Sequence, residues 1–487
     1  MSATRGSLTF LPERKKMAGK VQNRRGREVM LCNFARSAGY FATAIVLPWF
    51  IGAVAAPTAE ADESYNPIAI VQLPGGSQPL GSTDIAWVNH HTYGLTDRSN
   101  QSVDIIDTRK NDTILPVTAT PAFAGAKTKA SSAGGPNGVI LMEGDDDDNV
   151  RIWAADGPFC PSGGNNPNPT TDCLVKNGAT SGSIKVIDLN LKSKQWKTKQ
   201  VIYVNPNTPP PLPGAVHGRV DEFCINRDHH LVLAASNAFN FGDRFLSFID
   251  TRSFAIVGTI RLDGTDPAGQ MITAVGGKIE QCQVREGKFY LSVPNIDPAS
   301  NAFGAVLKIS AETFQVEEVF KIAATTGCAG PAGLTIGPDH QILVGCNGTS
   351  TQSVIIDDRT GFAIQYVATT YGVDEVWYDS GSNHYYLAQN CTAPCAAGTA
   401  VMNVEDAGHR NTVPSPDNPP AATAPSSKNP AADPETNYVY LPVLAGMGSI
   451  CSKFGGSDSQ GCIAIYSAPL DGDDRGGGDN ALRRARK

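Results

Sequence analysis

The chain has 487 residues, with 49 Gly and 33 Pro and apolar residues gathered in short runs, a composition that excludes a predominantly helical protein and points to a turn-rich all-β one. Nine of its 40 Lys and Arg and three of its 47 Asp and Glu fall in residues 1–61, so the remainder carries 31 basic against 44 acidic side chains. A surface this acidic excludes a nucleic-acid partner and favours metal cations or neutral and cationic ligands.

Residues 1–61 read as a secretory leader. A long basic region precedes an apolar stretch at residues 40–56, and small residues follow, so cleavage falls after Ala55 or Ala61. Arg24-Arg25 hints at twin-arginine export, and Met17 and Met30 are alternative starts. A membrane is a partner only if this stretch stays uncleaved as an anchor.

From residue 62 to 470 one unit recurs. Glu222 and Asn237, Glu280 and Asn295, and Glu375 and Asn390 are each fifteen positions apart. An apolar run, a polar turn and a second apolar run lie between, the pattern of a β-hairpin. Residues 332–347 repeat the spacing without the acid, and Asp84 to Asn100 repeats it with one extra residue. A third run follows each hairpin and often ends in an acid, as at residues 102–107, 183–188, 246–250 and 353–357.

Four antiparallel strands at a period near fifty residues predict a β-propeller, since a lone blade cannot bury its two faces. Weaker third strands at residues 399–404 and 462–466 bring the blades to seven. The last blade then lacks a fourth strand, and residues 68–73 form a strand with no blade. Pairing the N- and C-terminal strands would close the ring and remove an exposed edge. Residues 471–487, rich in Gly and Asp and then basic, read as a disordered tail.

Cysteine usage fits an oxidising compartment, periplasmic or extracellular. Ten cysteines follow the leader and no C-x-x-C motif occurs. Cys160 with Cys173, Cys391 with Cys395 and Cys451 with Cys462 suggest themselves across short loops. Cys328 and Cys346 sit at matching strand ends, and Cys224 with Cys282, each two residues after a repeat Glu, could clip one blade to the next.

In a propeller the first strand of a blade begins, and the second ends, on one face. Glu222, Glu280 and Glu375 with Asn237, Asn295 and Asn390 are therefore expected at one channel mouth, where carboxylates and amide oxygens are the hard ligands of a divalent metal, calcium above all. Asp84, Asn100, Asn137 and Asn347 could join them. The alternative is architectural: strand-end Asn, Asp and Glu cap turns and bond neighbouring loops. His217, in the Pro-rich loop before Glu222, is the candidate general base, and the insertion at residues 157–182 a candidate lid. A small-molecule ligand or substrate would enter at this mouth. His90, His91, His229, His230, His340 and His384 fall at hairpin turns on the other face.

Pro136-Asn137-Gly138-Val139, residues 330–344 and the serial V-x-I-I-D strands resemble the gluconolactonase-like and YVTN-type propellers. In the lactonase branch a divalent ion at the channel mouth polarises a lactone carbonyl and activates water, and Asn137 matches a metal-binding Asn of that family. The resemblance thus implies an exported, metal-dependent hydrolase of lactones or esters. Ser82-Thr83-Asp84 stands where that branch has Glu-Gly-Pro, and YVTN-type relatives imply the alternative, a non-catalytic periplasmic binding or scaffold propeller.

Overall fold

Seven four-stranded antiparallel sheets make up the protein, each a blade of a β-propeller. The computed structural model describes residues 65–467 apart from 126–133, 145–146, 158–181, 205–218, 238–243, 265–271, 275–277, 298–301, 349, 369, 390–401, 409–411, 415–426 and 428. All of these belong to one compact unit, Glu60–Lys487. The leader, the tail, His217 and Asn390 lie outside the described residues.

Blades 1 to 6 run in chain order, with first strands at Thr83–Asn89, Val139–Glu143, Arg219–Asn226, Cys282–Arg285, Pro331–Ile336 and Val373–Asp379. Blade 7 takes Ala431–Asp433, Tyr438–Val443 and Cys462–Ser467 from the C-terminal end, and Asn66–Gln72 from the N-terminal end. The last two pair antiparallel, Val71 opposite Ile463, so the ring closes as expected from the sequence. Tyr65 reinforces the closure. Its hydroxyl is hydrogen-bonded with Tyr386 at 2.9 Å and with His384 Nδ1 at 3.0 Å, tying the N-terminal strand to blade 6.

The core lies between blades rather than within them. Leu233 and Phe248 of blade 3 pack with Phe289 and Leu307 of blade 4, all four fully buried. Third strands such as Phe245–Asp250 are buried on both faces, which is why they read as continuous apolar runs instead of alternating ones. Their terminal acid has a local job. The Asp250 carboxylate accepts the backbone N–H groups of Arg252 and Ser253, and Asp357 those of Arg359 and Thr360, so the V-x-I-I-D signature ends in an Asx turn.

Three disulfides fall among the described residues: Cys224–Cys282, Cys328–Cys346 and Cys451–Cys462. The first joins the first strands of blades 3 and 4. The proposed Cys160–Cys173 and Cys391–Cys395 pairs lie outside the described residues. No described helix is long and apolar enough to cross a membrane.

Two predictions follow from this packing. Cys224–Cys282 closes a loop with a sequence separation of 58, so replacing both cysteines by serine is expected to cost about 2–4 kcal/mol in a denaturant titration. Asp97 and Asp104 face each other across the second and third strands of blade 1, and burial, joined at Asp104 by the neighbouring charge, raises both above the usual carboxylate range. The unfolded chain releases these protons above about pH 4 while the folded chain keeps them, so their contribution to stability is lost as pH rises. Asp104→Asn is expected to flatten the fall in urea-unfolding free energy between pH 5 and pH 8.

Candidate functional site: the acidic channel mouth

Four first strands carry a β-bulge at the same place. Between Thr83 and Ala86, Val220 and Phe223, Pro331 and Leu334, and Val373 and Val376, two residues oppose one on the second strand. A bulge re-aims the side chains it carries, and bulges gather beside functional sites. The residues set on these bulges are Asp84-Ile85, Asp221-Glu222, Ala332-Gly333 and Asp374-Glu375. Two of the three repeat glutamates thus sit on bulges directly after an Asp, and Glu280 in blade 4 immediately precedes Gln281 and the strand Cys282–Arg285.

The bulges need room from the preceding blade. A Cβ on Gly138 would stand 2.0 Å from the Asp221 carbonyl oxygen, and one on Gly333 would stand 2.9 Å from that of Asp374. The Gly of Pro136-Asn137-Gly138 therefore has a packing reason: it admits the bulge of blade 3.

In blades 1, 3 and 5 the residue at the end of the second strand reaches forward to the next blade. Asn237 accepts the backbone N–H of Ile279 at 2.8 Å and donates to the Asp221 carboxylate of its own blade. Asn347 donates to Asp374 of blade 6. In blade 1 the pairing of Thr83 with Asp97 puts Arg98, not Asn100, at the equivalent position. The Arg98 guanidinium donates to Asn137 Oδ1 from Nε at 2.9 Å and from Nη2 at 2.7 Å, to the Thr83 carbonyl at 3.2 Å, and to Asp84. Asn137 passes the link on, its amide nitrogen donating to the carbonyls of Gly134 and Val220. Asn100 instead holds the segment before blade 1, donating to Asp97 at 2.6 Å and to the Gln78 carbonyl at 3.1 Å. Asn295 caps a turn by accepting the N–H of Asp297 at 2.8 Å.

The three glutamates converge. Glu222 and Glu375, from blades 3 and 6, share a hydrogen bond, and Glu280 is close enough to both to affect their charge. Only 3% of Glu222 and 6% of Glu375 is exposed. Burial first, then the neighbouring acids, lifts both carboxyls well above the usual range. The same causes push Glu280 up to about 8, with Asp374 the nearest acid, and burial pushes Asp221 up to about 7. Arg219 pairs with Asp221 as Arg98 pairs with Asp84, so two guanidinium groups offset part of the acid.

Gln281 of blade 4 donates to the Val376 carbonyl at 3.0 Å, and its oxygen accepts Leu334 N–H at 2.6 Å and Val376 N–H at 3.2 Å, joining blades 4, 5 and 6. Trp87 and Trp377, equivalent in blades 1 and 6, meet edge to face with centroids 5.4 Å apart. Blades 1 and 6 flank blade 7, so this contact links next-but-one blades. At the other face, Arg227 donates to Asn89 at 2.9 Å, and His90 and His91 lie against Glu143 and Glu435, as their hairpin-turn positions predict.

The glutamates supply hard oxygen donors of the kind a divalent ion takes, whereas the Asn137 and Asn237 oxygens already accept N–H donors. Among the described residues, no group of three or more His, Cys, Asp or Glu could hold a metal ion. Sequence reasoning named Asp84 and the three glutamates but missed Asp221, Asp374, Gln281, Arg98 and Arg219. The repeated Val-Asp-Glu at residues 220–222 and 373–375 was the available signal for the two aspartates.

No family model matches the chain, and no curated protein matches it significantly. Solved structures do. A chain of the structure titled "Crystal Structure of Mitotic Checkpoint Complex" aligns with a TM-score of 0.50 at 11% identity, covering 88% of this chain and 99% of that one. One of Chaetomium thermophilum Raptor aligns with a TM-score of 0.48 at 10% identity, covering 84% of this chain and 29% of that one. At such identities the likeness bears on fold alone: this is a seven-bladed β-propeller protein.

Arg98 is 4% exposed, and its guanidinium is the cation beside Asp84 and the donor to Asn137. Arg98→Ala is expected to cost about 3 kcal/mol or more in chemical denaturation, because it breaks a buried ion pair by removing one partner.

Proposed function

We propose that the chain is an exported binding propeller whose acidic mouth takes a cationic guest. The observation that carries this reading is the burial of Glu222 and Glu375 beside one another, with Glu280 near enough to affect the charge of both. Neighbouring buried carboxyls resist joint ionisation, and a bound cation relieves that repulsion. Export is supported by the leader-like residues 1–61 and the buried disulfides, the pattern of a periplasmic or extracellular protein. The resemblance to YVTN-type propellers supports the same reading. Divalent ions, calcium first, belong to the guests to be tested.

A second reading, hydrolysis of lactones or esters, is favoured by Glu280, whose carboxyl is pushed up to about 8, since a carboxyl titrating near neutral pH serves as a general acid or base. His217 is its other candidate base.

Thermal unfolding across a panel of divalent and organic cations tests the binding reading. Wild type is expected to gain melting temperature with at least one cation, about 2.7 kcal/mol at a hundredfold excess over Kd, with the gain lost in Glu222→Gln and Glu280→Gln. A panel without any shift would refute it. Turnover of a lactone or ester that Glu280→Gln abolishes would establish the second reading instead.

A further inference from the structure

Blade 2 carries a line of positive charge that runs against the acidic balance of the chain. Residues 189–220 contain no Asp or Glu, and Lys192, Lys194, Lys197 and Lys199 stand close together within that stretch. All four are exposed, two in the turn after the third strand and two on the outermost strand, Gln195–Tyr203. Lys192, Lys194 and Lys197 have no ion-pair partner among the described residues. Asp148, in the hairpin turn of the same blade, reaches toward Arg109 of blade 1 at 3.8 Å.

The same turn in other blades shows what blade 2 leaves out. In blades 1, 3 and 5 the turn's arginine is neutralised by the last acid of the third strand: Arg109 lies 2.8 Å from Asp107, Arg252 3.2 Å from Asp250 and Arg359 2.6 Å from Asp357. The equivalent residue of blade 2 is Asn190, whose side-chain oxygen accepts the Ser193 N–H at 2.8 Å as the Asp250 carboxylate accepts that of Ser253. The Asx turn is kept and its charge is not, so Lys192 stands uncompensated where those arginines are paired. On the outermost strand Lys197 is opposite Asp188, and Asp188 is opposite Arg151, so the three share one face of the blade. That one carboxylate already meets Arg151 at 2.7 Å and Lys199 at 3.4 Å. Phe254 of blade 3 lies against both cations, its ring centre 5.9 Å from the Arg151 guanidinium and 5.8 Å from Lys199 Nζ.

Lysines on an edge strand keep a sheet from pairing with other chains, which accounts for Lys197 and Lys199 but not for the two in the turn. The shape of the charge selects the partner. The outer strands on either side, Leu115–Val117 and Ile256–Arg261, add a single cation, Arg261, which Asp263 holds at 2.5 Å. The ridge is therefore a line, suited to a linear polyanion rather than to the plane of a bilayer, and Trp196 packs into the core instead of offering a side chain to insert. A peptide would gain by adding a strand, but the bulge at Lys199 interrupts the ladder it would extend. We propose that this ridge binds an acidic polysaccharide, whose carboxylate or sulfate groups are taken by Lys192, Lys194, Lys197 and Lys199. A lysine ammonium is a point charge on a flexible stem and meets an anion from many directions, which fits a polymer held in several registers. Leu191 N–H donates to the Asp148 carbonyl at 2.7 Å, so the turn belongs to the hairpin side of the propeller and the inference does not rest on the cation-binding reading of the mouth.

Isothermal titration calorimetry of the mature chain with polygalacturonate, dextran sulfate, neutral dextran, poly-L-glutamate and phosphatidylglycerol vesicles tests it. Polygalacturonate or dextran sulfate is expected to bind, neutral dextran not, and the affinity to fall as salt rises from about 50 to about 200 mM. Combining Lys192→Glu, Lys194→Glu and Lys197→Glu, all at exposed positions, is expected to weaken binding about tenfold or more, and Asn190→Asp, which gives the turn the acid of blades 1, 3 and 5, about two- to fivefold. Binding unchanged in the triple variant would overturn the assignment of the site. Vesicles or poly-L-glutamate bound more tightly than either acidic polysaccharide would overturn the class of partner, as would neutral dextran bound equally well. If no probe binds, the inference falls.

Discussion

Every blade of this propeller has two apolar faces and can cover neither by itself, so the fold depends on ring closure. Closure rests on one strand pairing, Asn66–Gln72 against Cys462–Ser467, which brings the two ends of a chain of several hundred residues into a single sheet. Without it, blade 7 would present an open edge and blades 1 and 6 would each lose a covering neighbour. The buried contacts of Tyr65 with His384 and Tyr386, and the stacking of Tyr93 on Tyr440 at 4.9 Å between centroids, lie around this seam.

Closing the ring forces seven first strands toward one axis and concentrates polar groups there. The protein manages this crowding by three physical means. Bulges turn the acidic doublets of blades 3 and 6 into the mouth, glycines at positions 138 and 333 admit the neighbouring bulge, and side chains at second-strand ends fasten the junctions of blades 1 and 2, 3 and 4, and 5 and 6. Charge is then balanced in part by Arg98 and Arg219 and in part by carboxyls that hold their protons, with Glu280 pushed up to about 8.

Much of this was readable from the chain. The hairpin spacing, the V-x-I-I-D third strands and the unpaired strand near residue 68 report local periodicity and turn chemistry, which a sequence carries residue by residue. Their Asp termini proved to be Asx turns, a local device that needs no tertiary contact. The glutamate repeat falls on or just before the first strands of blades 3, 4 and 6. The asparagine repeat misled in part, because equal spacing does not reveal what a side chain meets: Asn237 joins two blades, Asn295 caps a turn, and the blade 1 equivalent is Arg98 rather than Asn100.

The sequence by itself determined a closed seven-bladed propeller and the face on which its acids lie, because strand period, turn residues and the count of repeats are local properties. Only the tertiary structure decided which acids are paired with arginines, which hold protons and which face one another. Those outcomes depend on bulges that insert one residue into a ladder and on contacts between blades 3 and 6, or 1 and 6, whose residues stand far apart in the chain. Electrostatic energy is set by such through-space distances and by burial, and neither is encoded in the spacing of residues along one strand.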